Sequence, residues 1–97
     1  MDYGHRVPFD VAEWPEFGDA AIRVLGSIEL WDEIKSFIDI YIARDPHVGE
    51  RVPGTSVWAW TIPINPYCTI LYSIEIETFA PDGAPEGKIM LIDIQEA

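Results

Sequence analysis

The feature that most limits what this chain can form is a change of hydrophobic period near its midpoint. From Ser27 to Arg44 the apolar residues Leu30, Trp31, Ile34, Phe37, Ile38, Tyr41 and Ile42 keep to one broad stripe at helical spacing, and Asp32, Glu33, Lys35, Ser36 and Asp39 fall away from it. Pro46 disfavours helical backbone at Asp45 and stops the helix there. After the Pro53-Gly54 turn the period falls to two. Ser56 to Ile62, rich in Trp, Thr and β-branched residues and closed by Pro63, reads as a strand. From Tyr67 to Ile76, Cys68, Ile70, Tyr72, Ile74 and Ile76 alternate with Thr69, Ser73 and Glu75, which turns one strand face to the helices and one to solvent.

The rest of the chain fits around these two halves. Val7, Phe9 and Val11 alternate with Arg6, Asp10 and Ala12, a short first strand that Pro8 confines to an edge or a strand start. Ala20, Ala21, Val24, Leu25 and Ile28 recur at helical spacing, with Gly26-Ser27 as a break before the longer helix. Ser27 and Leu30 make no capping box, yet Asp32 and Glu33 early and Arg44 late suit the helix dipole. Asn65-Pro66 signals a turn, and Pro81-Asp82-Gly83 with Pro85-Glu86-Gly87 reads as a loop. Lys88 to Ile94 is a near-continuous apolar run, the pattern of a central strand covered on both faces. The expected class is α+β: a two-layer sandwich with two helices packed on one face of an antiparallel sheet, in the order β-α-α-β-β-β. Residues 1–97 read as a single domain, since 97 residues at 48% hydrophobic content suffice for one core and not for two.

Charge narrows the partners. Seventeen carboxylates against six Lys and Arg give a net charge of -11, which repels a phosphate backbone and disfavours direct nucleic-acid binding. The bland reading of this acidity is solubility, and the sharper one is an acidic surface for a basic partner or an imitation of nucleic acid. No apolar run approaches the roughly 18 residues needed to span a bilayer, and the start, Met1-Asp2-Tyr3-Gly4-His5-Arg6, has no basic region followed by an apolar one. A cytoplasmic protein without membrane contact is the expectation, and the single Cys68 fits a reducing compartment.

No residue pattern here demands catalysis. Tyr72 lies on the apolar even face and reads first as a packed tyrosine. His47 and His5 could exchange protons near neutral pH, but His47 sits beside Pro46 in a turn with no partner at metal or triad spacing. Cys68 has no nearby His or CxxC partner, and Glu75 with Glu77 reads as a solvated strand face before an acid/base or metal pair. No zinc spacing or phosphate loop is present, so neither metal nor cofactor is expected. Trp58 and Trp60 point to one face of their strand, either into the core or into an aromatic patch on the open face. A sheet covered on one side leaves its other face free, and Leu71, Ile89 and Leu91 at odd positions are the expected partner-binding residues there, with Trp58 and Trp60 joining them if outward.

The order of these pieces resembles the RelE/ParE superfamily of small bacterial toxins. Tyr41-Ile42-Ala43-Arg44-Asp45-Pro46 is followed by Gly49, by a Val52-Pro53-Gly54-Thr55 turn, by a strand ending Ile70-Leu71-Tyr72, and, after a Gly-containing hairpin, by Ile89-Met90-Leu91-Ile92-Asp93-Ile94. The similarity spans roughly two-thirds of the chain, and the order of the motifs carries it. It implies a toxin neutralised by a small antitoxin, acting in one branch by cleaving ribosome-bound messenger RNA and in another by poisoning DNA gyrase. The ribonucleases use basic groups to stabilise charge at phosphate and a proton-transfer residue near the C-terminal end. The chain departs there. Thr69 stands where the family commonly has Arg, Gln95 and Glu96 stand where it often has His-Arg, and Ser56 to Ile62 holds no Lys or Arg. Loss of one such cation can lower a rate on the order of 100- to 1000-fold. The expectation is therefore a toxin-like component that binds a target, held by an antitoxin or as a homodimer; the alternative is a non-toxic acidic protein-interaction module on the same scaffold.

Overall fold

A computed structural model of the protein describes residues 9–62 and 68–96, so the readings placed on His5, Val7, Pro8, Pro63 and Asn65-Pro66 lie outside the described residues. The helical half is set by its breaks. Helix α1 (Phe17–Leu25) ends at Gly26, whose φ of 85° is a left-handed conformation that glycine adopts freely. Ser27 then caps α2 (Ile28–Phe37): its hydroxyl accepts the Leu30 N–H at 3.1 Å, so the cap forms without a capping box. Ile38–Ile42 continues as a π-helical turn, with the Ala43 N–H bonded to the Ile38 carbonyl. Ile34, Ile38 and Ile42, four apart, stay buried, and Tyr41 is left 41% exposed. Pro46 opens a 3-10 turn, Pro46–Val48, in place of further helix.

The sheet is built from β1 (Asp10–Glu13), β2 (Glu50–Arg51), β3 (Val57–Thr61), β4 (Cys68–Phe79) and β5 (Pro85–Glu96), in the order β1-β5-β4-β3-β2. The last three strands form the expected antiparallel meander, and β5 is an interior strand between β1 and β4. Two features differ from expectation. The two-residue strand β2 pairs antiparallel with β3, and β1 pairs parallel with β5, so the sheet is mixed. These differences are linked: β2 adds one chain reversal, which brings the meander into β5 in the direction of β1.

The Pro85-Glu86-Gly87 segment is strand and not loop, because the turn closes on Ala80–Ala84, with Gly83 at φ 87° and the Ala84 N–H on Asp82 Oδ1 at 3.0 Å. The helices cover one face. Phe17, Ala21, Trp31, Ile34 and Ile38 meet Ile70, Tyr72, Ile89 and Leu91 in one core, with the Phe17 and Trp31 rings 5.4 Å apart. The apolar run in β5 is not the mark of cover on both faces. Tyr72 lies opposite Leu91, whereas Leu71 lies opposite Asp93, so Ile92 is an extra residue on β5. The inward set is thus Ile89 and Leu91 before this bulge and Ile94 after it. Two alternating patterns joined out of phase read as one continuous run. No helix among the described residues is long and apolar enough to cross a membrane.

Candidate partner-binding surface

Three residues of the motifs quoted above, Pro46, Gly49 and Tyr72, meet at one point inside the fold. Tyr72, fully buried on β4, donates its hydroxyl to the Pro46 carbonyl at 2.6 Å. Gly49 packs so closely behind that a Cβ there would stand 2.6 Å from the Ala59 carbonyl oxygen and 2.8 Å from the Tyr72 hydroxyl. Burial pushes the phenol up to about 12, with the Asp45 charge adding to the rise and a backbone hydrogen bond from Gly49 opposing it. A hydroxyl held neutral and committed to a carbonyl is a pin for the 45–49 turn, not a proton-transfer group at neutral pH.

Two of the positions at which the resemblance would place cations, Thr69 and Gln95, meet on the open face of the sheet, whereas Glu96, opposite the buried Cys68, faces the other way. Thr69 pairs with Gln95, and Cys68 with Glu96. Thr61 Oγ1 and Thr69 Oγ1 are 2.9 Å apart, and Gln95 Nε2 donates to Asp93 Oδ2 at 3.4 Å. This part of the open face offers two hydroxyls, an amide and the Asp93 carboxylate. Lys88, the one Lys or Arg on β3, β4 or β5, is engaged with Glu75 at 3.5 Å, about 20 Å along the strand from Thr69 at 3.4 Å per residue. Burial pushes the Cys68 thiol up, away from the reactive thiolate. Among the described residues no three His, Cys, Asp or Glu side chains are grouped to hold a metal ion.

The five expected partner-binding residues separate. Trp58 and Trp60 lie opposite Tyr72 and Ile70 and therefore face the helices. Trp60 is buried 5.5 Å from the Tyr41 ring, and Trp58 is half-buried with the exposed His47 edge-on at 5.0 Å. The core alternative holds for both. Ile89 and Leu91 are corrected: they are buried beneath the helices because the bulge at Ile92 reverses the phase assumed for β5. Leu71 does lie on the open face, half-buried. Its neighbours there are Ala59 and Asp93, and the adjoining row across the sheet runs Val57, Ser73, Met90, Ala12. Polar rows bound this small apolar centre: Thr61, Thr69 and Gln95 on one side, and Glu75, Lys88 and Asp10 on the other.

A second surface was not expected from the sequence. Strand β3 reaches along β4 only to Ser73, and β1 along β5 only to Lys88, so among the described residues Ile76–Phe79 and Pro85–Gly87 have only each other as strand partners. Ile76 and Phe79 on this overhanging ribbon are 49% and 64% exposed. The signal available in sequence was the Pro81-Asp82-Gly83 turn: equal arms measured back from it would have carried β4 to Phe79.

The chain matches no family model, and no curated protein is similar to it.

Proposed function

We propose that the protein is a toxin-like component of a bacterial toxin–antitoxin pair that acts in the cytoplasm by binding a protein target, of the gyrase-inhibition type, and not by cleaving RNA. The observation that carries this reading is the Thr61–Thr69–Gln95–Asp93 row. Thr69 and Gln95 in it stand where the resemblance implies phosphate-stabilising groups, and it offers only neutral and acidic side chains. Next to it lies the half-buried apolar centre around Leu71, Ala59, Val57 and Met90, on a face that no described helix covers. An antitoxin segment or a second copy of the chain would occupy that face.

The net charge of -11 favours a second reading, a non-toxic acidic interaction module on the same scaffold. Controlled expression of the chain by itself separates the two. Growth arrest relieved by an adjacent small gene supports the toxin reading, whereas unimpeded growth with soluble, folded protein favours the module. Purified protein is expected to leave ribosome-bound messenger RNA intact; cleavage lost on Arg51→Ala would refute the binding mechanism.

A further inference from the structure

The open face of the sheet sorts its side chains by row. Leu71, Ser73 and Glu75 alternate along β4, so the residues in register with each of them share one face. Glu50, Ala59, Leu71 and Asp93 form one row, and Val57, Ser73, Met90 and Ala12 form the next. Together they make a half-buried apolar lane about 14 Å long across four strands and about 7 Å wide. Charges of one sign bound it. Glu50 and Asp93 close the first row at its two ends, and Glu75, Lys88 and Asp10 lie beyond the second. The next row outward is Thr78 with Glu86, Glu77 being an extra residue on β4. Among the described residues, five carboxylates thus stand on this face against the one ammonium of Lys88, which Glu75 already holds at 3.5 Å. The cations are elsewhere: Arg23 and Lys35 on the helices, Arg44 in the turn after them, and Arg51 opposite Trp58 in a row that faces the helices.

We infer that this lane is the docking site for a basic amphipathic helix of another protein, one that lays an apolar stripe over Leu71 and Met90 and sets Lys or Arg beside Glu50, Asp93 and Asp10. The inference rests on the protein-binding reading and names the chemistry of the partner. The backbone of the lane is already paired in the β3–β4–β5–β1 ladders, so an occupant reaches it with side chains only, as a helix or as a second sheet. Charge complementarity selects between them. A second copy laid face to face would bring five more carboxylates and one more paired Lys88, and like charges across an interface are unfavourable. A single helix, about 10 Å in diameter, covers two rows.

The probe is a synthetic helical peptide of about 18 residues with Leu at every third or fourth position and Lys on both flanks, titrated into the full chain and followed by amide NMR. A version with Glu for Lys and a scrambled Lys–Leu version are the controls. Saturable shifts centred on Val57, Ala59, Leu71 and Met90, absent with the Glu version and weak with the scrambled one, are expected. Leu71→Lys should weaken binding by about tenfold or more, because it sets a like charge against the peptide, and should leave the circular dichroism unchanged. Asp10→Asn with Glu50→Gln should weaken binding less and flatten its salt dependence. Shifts centred on Ile76 and Phe79 would overturn the open face as the site. Binding of the Glu or the scrambled version as tight as that of the probe would overturn the chemistry assigned to the partner. A wild-type dimer in sedimentation that Leu71→Lys dissolves and that excludes the peptide would assign the lane to a second copy. Absence of saturable binding would overturn the proposal outright. The protein-binding reading itself is tested separately, by growth arrest on expression of the chain.

Discussion

Tyr72 and Gly49 show how single residues hold this fold. The hydroxyl of Tyr72 joins the sheet to the turn after α2, and the missing side chain of Gly49 leaves room for that contact. Tyr72→Phe keeps the ring but leaves the Pro46 carbonyl without its donor, and a loss of about 1 to 2 kcal/mol in denaturant unfolding is expected. The same residue sets a pH limit. Its phenol is pushed up to about 12 in the fold from 10.0, so its contribution is complete below pH 10 and is lost as the pH rises toward 12. A shift of that size corresponds to about 2 to 3 kcal/mol. The difference between wild type and Tyr72→Phe should shrink over that range, with Cys68 affecting both proteins alike; a difference that does not change with pH would show that the phenol ionises as freely in the fold as outside it. Gly49→Ala should destabilise by about 1 to 3 kcal/mol through overpacking. Its effect should be smaller in the Tyr72→Phe background, where one of the two crowded atoms is gone.

At the scale of elements, periodicity made most of the fold legible. The break at Gly26-Ser27, the stripe from Leu30 to Ile42 and the inward set Cys68, Ile70, Tyr72 all stand where the spacing puts them, because helices and regular strands convert spacing into faces. A bulge breaks that conversion. Ile92 and Glu77 each add one residue without any Gly or Pro of their own to announce it, so the faces of Leu91 and Phe79 could not be read by counting. The open face of the sheet was legible at Leu71 and misread at Ile89 and Leu91 for this reason. Strand β2 is two residues long and too short to show a period, so the parallel pairing of β1 was hidden as well. The reassignment makes a paired prediction. Leu91→Ala should lower stability by about 2 to 5 kcal/mol as a core truncation. Leu71→Lys, opposite Asp93 on the open face, should change it on the order of 0.5 kcal/mol while reducing any association through that face. Equal losses for the two variants would mean that Leu71 belongs to a covered layer.

For the whole molecule the governing quantity is charge. A net charge of -11 on 97 residues opposes both compaction and the approach of a second copy, and each effect is screened as the Debye length falls from about 10 Å at 0.1 M salt to about 3 Å at 1 M. Thermal stability should therefore rise with added salt, since among the described residues little of it rests on ion pairs: Lys35–Asp32 and Lys88–Glu75 are both exposed, and such pairs contribute about 0 to 1 kcal/mol. The same screening separates the two kinds of partner. Association of like chains through the Leu71 face joins apolar surface against charge repulsion, so added salt should strengthen it. Association with a basic protein draws on attraction between unlike charges, so added salt should weaken it. Sedimentation of the chain over a salt series should therefore show self-association that strengthens as salt is added. Self-association that weakens with salt would mean instead that opposite charges meet between copies, for which the open face offers Lys88 against Asp10, Glu75 and Asp93.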